Sequence, residues 1–434
     1  MSAPSKLPPS RTHPLMAAVG IYILSLAVVM AGIAFGNACV PRRSHPTQLG
    51  PGFINSFSNW DGRWYAQITE DGYSYSTTEY SGAAFFPAYP CLAKVVSRII
   101  GLRTDAALLC VSHICLISAM LVLALSVQGR GTHNPDRDRL SDGRPIDSSF
   151  VCSPGRRETA VLRDYTAWTV LAFAFFPPTL FCRMAYTESL FLLCVMSAMY
   201  GMDRDWPLPI VAAIVGMATG VRLVGLALVA PMSLFAWSRF RLGRMRAADY
   251  VLTPVLCCWG LALFMLYLYS RFGDPLAFVK AQGPWNGRPA ATLNDRIVAM
   301  LSFEPLWSVF QPTSPAWWRR FGSEAGVLFN VQIMNVFYFV LISLLIAIGY
   351  SRRTLNGRET LLAGLLLGIP YVGHSYQTLM WSEARFASVA YPAYLVLGDL
   401  GCRAPLWLSG GVLCIAAFFL GGYAALFAAW HLMF

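Results

Sequence analysis

Residues 207–237 read PLPIVAAIVGMATGVRLVGLALVAPMSLFAW, a stretch whose single charge is Arg222. As a helix it would be about 46 Å long at 1.5 Å per residue, whereas two crossings of a bilayer core need about 60 Å. An arginine-rich segment follows it (Arg239, Arg241, Arg244, Arg246), and Arg204 precedes it. Arginine-rich loops stay on the cytosolic side of a membrane. The run is therefore expected to enter and return to the same side, as two short half-spans with Arg222, just after Thr219-Gly220, near the tip.

The rest of the chain extends this reading. Hydrophobic residues make up 56% of it and charged ones only 13%, against about 25% in a soluble domain. That balance excludes a soluble enzyme, a disordered tail and a secreted disulfide scaffold. Apolar runs occupy 15–35, 84–101, 104–127, 166–184, 186–202, 207–237, 250–270, 328–350, 360–378, 386–400 and 405–430. Backbone polar groups in lipid must be satisfied within the segment, so these runs should be helices. The expected fold is all-α, a polytopic transmembrane helix bundle of about 10–11 spans, formed by residues 1–434 as one domain. The first run, Leu15 to Phe35, reads as a retained signal anchor. No internal repeat is visible.

Charge orients the bundle. The net charge is +11, mostly arginine, with lysine only at positions 6, 94 and 280. Placing Lys6 and Arg11, the linker 128–165, the segment 239–246 and Arg352, Arg353 and Arg358 on the cytosolic side satisfies the positive-inside rule. The N-terminus is then cytosolic, and 128–165, rich in Arg, Asp, Ser, Gly and Pro, is a flexible cytosolic loop. The run 84–101, with Pro87, Pro90, Lys94 and Arg98, becomes a partly inserted or interfacial helix. No soluble basic module suggests a nucleic-acid partner. The eleven cysteines show no CxxC pair and read as small buried hydrophobes, although Cys39 and Cys91 flank one loop and could be bridged. His374 has no companions at metal-ligand spacing, and Asp136-Arg137-Asp138 and Asp203-Arg204-Asp205 read as solvated charge, so no metal site is expected and a divalent-metal requirement stays open.

Four unusual segments then share the non-cytosolic face. The large first loop, 37–83, contains Asn59-Trp60-Asp61-Gly62-Arg63-Trp64-Tyr65 and Glu70-Asp71-Gly72. The others are Tyr186-Thr187-Glu188-Ser189, the stretch from Gly273-Asp274-Pro275 to Lys280 and Trp285, and His374 to Arg385. Acids, aromatics and arginines together suit a polar ligand with a lipid tail: aromatics sit at the interface or on sugar rings, and arginines hold phosphate. Asp61 is a general base, a helix N-cap or the ion-pair partner of Arg63. Asp71 reads as a turn before Gly72; Glu70 stays open. Glu188 is a helix cap or a polar contact to substrate. Arg222, an ionisable group in an apolar run, holds a lipid-linked phosphate or pairs with an intramembrane acid. Arg385 is a second phosphate contact or the partner of Glu383. Lys280 and Trp285 close over a substrate or anchor the loop.

Trp60-Asp61-Gly62-Arg63-Trp64-Tyr65, Phe85-Phe86-Pro87 with Tyr89-Pro90, and Tyr186-Thr187-Glu188-Ser189-Leu190-Phe191 resemble segments of the PIG-V family of mannosyltransferases. Thr219-Gly220-Val221-Arg222-Leu223-Val224-Gly225 is similar to its TRxxG segment with two residues inserted, and Phe272-Gly273-Asp274-Pro275-Leu276 and Ser382-Glu383-Ala384-Arg385-Phe386 resemble later segments. The resemblance runs from about residue 55 to 400 and makes 128–165 an insertion. It implies a GT-C fold, a non-cytosolic active site and a polyprenyl- or dolichyl-phosphate mannose donor as substrate, with no cofactor. Asp61 matches the position of the essential acid in the first large loop. Trp60, Arg63, Trp64, Tyr65, Glu70, Tyr186, Glu188, Arg222 and Arg385 are then expected at the substrate. The implied chemistry is inverting transfer with Asp61 as base and the two arginines on the phosphate. Such a protein would sit in a bacterial plasma membrane or the endoplasmic reticulum, among membrane lipids, with an accessory membrane subunit as a possible partner. Competing readings are a GT-C transferase of another sugar or onto protein, a transporter or flippase, and a non-catalytic scaffold subunit.

Overall fold

The computed structural model describes residues 12–43, 52–130, 164–288, 292–320 and 327–431. Lys6, Arg11 and the linker 128–165, apart from 128–130 and 164–165, lie outside them. Every regular element among the described residues is helical. In chain order the α-helices longer than one turn are α1 (Thr12–Cys39), α2 (Asp61–Asp71), α3 (Ala88–Ile100), α4 (Thr104–Arg130), α5 (Tyr165–Phe175), α6 (Glu188–Asp203), α7 (Leu208–Val221) and α8 (Val229–Arg241). There follow α9 (Ala247–Leu256), α10 (Trp259–Phe272), α11 (Leu293–Leu301), α12 (Val331–Ser351), α13 (Gly357–Pro370), α14 (Glu383–Ser388), α15 (Pro392–Arg403) and α16 (Leu406–Ala428).

By length and composition, five stretches can cross a membrane: Pro14–Cys39, Thr104–Gln128, Leu223–Arg241, Val331–Ser351 and Leu406–Ala428. Two bent pairs bring this to seven, α5 with Pro177–Arg183 at 79° and α9 with α10 at 52°. The other apolar runs form shorter helices, among them α6, α7, α13 and α15. The chain is an all-α, multi-pass membrane bundle. Apolar side chains such as Ile23, Leu24, Val251 and Val255 face outward, as a lipid-facing surface requires.

Glycines set the closest helix contacts. A Cβ on Gly260 of α10 would lie 2.2 Å from the Gly216 carbonyl oxygen and 2.6 Å from the Gly220 nitrogen of α7. A Cβ on Gly36 of α1 would lie 2.2 Å from the Ala425 carbonyl oxygen of α16. Membrane helices lack a hydrophobic drive to associate, so small residues that let backbones touch take its place.

The run 207–237 breaks at Arg222, which is extended (φ −155°, ψ 146°) between α7 and a 3-10 segment, Leu223–Leu228. The first arm is short. The second, Leu223–Arg241, is long enough for a crossing and so exceeds the expected half-span. α3 spans 13 residues, about 20 Å, too short to cross a bilayer. Cys39 and Cys91 carry free, exposed thiols, so the bridge considered for them is not formed.

Three helical paths connect two charged ends of the bundle. α4 runs from Asp105 to Arg130, α6 from Glu188 to Asp203, and the 3-10 segment with α8 from Arg222 to Arg239, the last two covering about 23 and 25 Å. At one end Arg130 pairs with Glu359, Arg358 with Asp203 at 3.0 Å, and Arg239 with Asp205 at 2.7 Å. At the other end lies the site.

Candidate active site

Asp61 is the first residue of α2, delivered by an unusual turn. Trp60 adopts φ 56°, a strained backbone for a non-glycine residue. Neighbouring contacts hold it there. The Asn59 side chain donates to the Phe427 and Ala428 carbonyls at 2.9 and 3.4 Å, satisfying acceptors that the end of α16 leaves open. The Tyr186 hydroxyl donates to the Asn59 carbonyl at 3.2 Å and accepts from the Asp61 backbone N–H at 3.2 Å. Trp60 packs on Trp430, with ring centroids 5.5 Å apart.

A relay of opposite charges crosses the site. Arg385 Nη1 donates to Asp61 Oδ2 at 2.7 Å, and Arg385 Nε lies 3.3 Å from Glu188 Oε1. The same glutamate oxygen accepts from Arg222 Nη1 at 2.5 Å, and that nitrogen also reaches Thr187 Oγ1 at 3.4 Å. Two carboxylates and two guanidinium groups thus balance formally. Asp61 is the most accessible, at 27% side-chain exposure, whereas Glu188 is at 1%. Aromatic faces hold the guanidinium planes: Phe386 lies 4.9 Å from Arg222, and Phe181 and Tyr186 lie 5.5 and 5.3 Å from Arg385. Cation–π contact of this kind fixes an arginine without neutralising it.

An aromatic wall adjoins the relay. Trp64 stacks on Phe85 at 5.8 Å and meets Trp285 edge-on at 6.1 Å, and Tyr80 closes on Trp285 at 4.7 Å. Tyr65 is buried between Phe85, Tyr89 and Tyr186. The loop carrying Trp285 is tied down by Gln282 donating to the Ala84 carbonyl at 3.1 Å and by Lys280 pairing with Asp274 at 2.7 Å. That hydrogen bond from Lys280 holds the Asp274 carboxyl below its ordinary range. The four segments singled out in the sequence therefore meet at one end of the bundle.

Two expected pairings are corrected. Arg63 does not serve Asp61; it approaches Asp105 at 3.8 Å and the Asn55 carbonyl at 3.4 Å. Arg385 does not pair with Glu383 but with Asp61 and Glu188. Both errors have one cause. Residues i and i+2 on a helix do not face each other, and Asp61 and Arg63 share α2 as Glu383 and Arg385 share α14. Glu70, nine residues beyond Asp61, points to the opposite face of α2 and is exposed. The structure does not bring it to the relay. Glu188 makes no helix cap; its side chain goes to the arginines.

Several residues escaped the sequence reading. Arg183 is fully buried, donating to the Thr179 and Ala174 carbonyls at 3.1 and 2.8 Å and to Ser25 Oγ at 2.6 Å. It secures the 79° bend just before Tyr186, and its charge within an apolar run was the available signal. Asn59, Thr187 and Phe386 carried no such signal. Among the described residues no group of three or more His, Cys, Asp or Glu side chains gathers at metal-holding distance.

Buried ion pairs beside an aromatic wall, at one end of an all-α, multi-pass membrane bundle, mark the candidate site. Comparison with known proteins narrows this. The chain is 28% identical over 292 residues to the GPI alpha-1,6-mannosyltransferase 2 of Homo sapiens, which covers 62% of this chain and 53% of that protein. The resemblance to PIG-V drawn from the motifs is borne out by this match. The chain spans about half the length of the curated relative. No family model matches it. Among solved structures, the apo Archaeoglobus fulgidus oligosaccharyltransferase aligns at a TM-score of 0.41, with 11% identity, over 96% of this chain and 56% of that one. The same organism's AglB, in complex with an inhibitory peptide and a dolichol-phosphate, aligns at 0.42 with the same identity and coverage.

Proposed function

We propose that this chain is a membrane mannosyltransferase that moves mannose from a polyprenyl- or dolichyl-phosphate donor to a hydroxyl of a lipid-linked or glycan acceptor, on the non-cytosolic face. The observation that carries the reading is the relay, in which the accessible Asp61 is held at 2.7 Å by Arg385, itself linked through Glu188 to Arg222. Similarity to a mannosyltransferase supports the choice of sugar.

The geometry supports the following chemistry. The acceptor hydroxyl attacks the anomeric carbon while Asp61 takes its proton; the bond to the phosphate oxygen breaks and the configuration inverts. A carboxylate acts as such a base only within about 3 Å of the proton it accepts. Transfer converts a phosphodiester into a more highly charged phosphomonoester. Arg222 and Arg385, fixed by aromatic faces, stabilise that added charge without reorganising, which is worth most where water is excluded. A guanidinium has five N–H donors, so an arginine engaged with Glu188 still has donors for a phosphate. The Trp64–Phe85–Trp285 wall offers apolar faces to the sugar ring. The positive-inside argument supports a site outside the cytosol and an N-terminus within it.

The test is Asp61→Asn in the purified full-length protein, assayed for release of polyprenyl phosphate from polyprenyl-phosphate mannose in the presence of membrane lipid extract as acceptor. Transfer should fall at least about 100-fold, the usual weight of a general base, with the thermal midpoint nearly unchanged. Normal transfer by a well-folded Asp61→Asn protein would remove Asp61 from the chemistry.

A further inference from the structure

The segment between α10 and α12 leaves the bundle at the site end, and many of its exposed side chains are large and apolar. α11 is its longest helix among the described residues. A capping box opens it: Thr292 Oγ1 accepts from the Asp295 N–H at 3.2 Å, and the Asp295 carboxylate accepts from the Thr292 N–H at 3.1 Å. Leu293, Ile297 and Leu301 recur every four residues and so share one stripe of the helix. Leu293 is 75% exposed and Leu301 77%, whereas Ala299, on the opposite side, is buried and Met300 packs on the core. Phe303 and Trp307, just beyond the helix, are exposed as well. Trp317-Trp318-Arg319-Arg320 follows in the same segment. The Arg319 guanidinium lies 5.8 and 5.3 Å from the Trp317 and Trp318 ring centroids, and both arginines are exposed.

The inner side of this segment is docked. The Gly287 N–H donates to the Gln377 carbonyl at 2.8 Å, and Arg288 pairs with Glu304 at 2.7 Å and lies 4.2 Å from the Tyr376 ring centroid. The outer side continues the lipid-facing wall of the bundle: Leu263 and Leu266 of α10 and Phe337 and Leu344 of α12 face outward, and Val327 and Leu328 are exposed directly before α12. Exposed apolar surface of this kind marks contact with a partner. A protein partner would need one complementary patch. A bilayer needs an apolar stripe on a helix and, at the headgroup level, tryptophans with cations beside them. Both are present. We propose that α11 lies on the membrane surface, with Leu293, Ile297 and Leu301 in the acyl boundary and Trp317–Arg320 at the headgroups. The partner of this segment is then the lipid surface. The proposal does not depend on the transfer chemistry.

The test is a photo-crosslinking scan of the full-length protein in liposomes of phosphatidylcholine and phosphatidylglycerol. p-Benzoylphenylalanine is placed singly at each position from 293 to 301, so that one poorly folding variant leaves the pattern readable. Lipid adducts are counted by mass spectrometry and crosslinked dimers by gel. The lipid yield should rise and fall with the helical period, with maxima at 293, 297 and 301. Those maxima should exceed the yield at 295 by about fivefold, because the apolar face of a surface helix sits about 5–10 Å into the headgroup–acyl boundary and the polar face does not. A low lipid yield at every position, or one without the helical period, overturns the proposal. So does the same period in dimer crosslinks without lipid adducts, which would assign the stripe to a second copy of this chain. No turnover is needed for the readout, so neither result bears on Asp61.

Discussion

Two buried glutamates, Glu359 and Glu188, sit at opposite ends of the bundle, and both are 1% exposed. Each pairs with arginine. Glu359 is satisfied on both oxygens: Oε1 accepts from Arg130, and Oε2 accepts from the Asn356 N–H at 3.0 Å in the capping box that opens α13. At Glu188 one oxygen serves both Arg222 and Arg385, and among the described residues the other has no hydrogen-bond partner. The first arrangement is closed and holds α4 to α13. The second is open, and it shares an arginine with an accessible aspartate. The same ingredients make a clamp at one end and a candidate catalytic relay at the other, and what separates them is unused hydrogen-bonding capacity.

The sharpest way to break this comparison is to remove the closed pair. Glu359→Ala leaves the half-buried Arg130 without its ion-pair partner, with only the more distant Asp203 as a negative neighbour. Losing one partner of a buried ion pair costs about 3–5 kcal/mol, so thermal unfolding should shift down strongly. Transfer per folded molecule should stay within about twofold. A matching collapse of transfer would show that the two ends do not act separately.

Arg385→Ala should do the opposite. It frees Asp61 and withdraws the proposed phosphate contact, and removing one electrostatic donor of this kind lowers turnover about 100- to 1,000-fold. Arg385→Lys should restore little, because a lysine cannot reproduce the fork that reaches both Asp61 and Glu188. Recovery of transfer by lysine would reduce Arg385 to a point charge.

Much of this was legible in the sequence. The apolar runs became helices because backbone in lipid has no alternative, and Asp61, Glu188, Arg222 and Arg385 stood out as rare charges beside apolar runs. Their pairing was legible only in part: an acid was among the partners expected for Arg222, but that it is Glu188 was not. Asp61 meets Arg385 across 324 positions, whereas inspection favours neighbours, and the neighbours chosen were two residues apart on helices, where side chains diverge. The unusual turn at Trp60 was equally hidden, because tertiary contacts from Asn59 and Tyr186 impose it and nothing local demands it.

Glu383 extends the comparison to a carboxyl that pairs with no arginine among the described residues. Burial pushes its pKa up to about 8, from an ordinary value near 4.3. Between those values the folded state binds more protons than the unfolded state, so stability falls as pH rises from about 4.5 and levels off above about 8. Glu383→Gln cannot lose that proton. Its thermal midpoint should match wild type near pH 5 and exceed it by a few degrees at pH 9. Parallel curves for the two proteins would mean that Glu383 has a compensating cation in solution.

The smallest effect is expected at the solvated rim of the arginine end. Arg239 bonds Asp205 at 2.7 Å, but the Asp205 side chain is 42% exposed and Arg244 stands 3.7 Å away as a second cation. Water and salt screen such a pair, and exposed ion pairs contribute about 0–1 kcal/mol. Arg239 also donates to the Asp205 and Trp206 carbonyls, each at 3.0 Å, and lies 4.6 Å from the Phe235 ring. Arg239→Lys keeps the charge and removes the fork, whereas Arg239→Ala removes both. If the ion pair dominates, lysine rescues alanine's loss and the difference disappears in high salt. If the fork to the two carbonyls dominates, lysine and alanine are alike and salt changes neither. The second outcome is expected, because Arg244 can take over the charge of Arg239 but not its bonds to the Asp205–Trp206 turn.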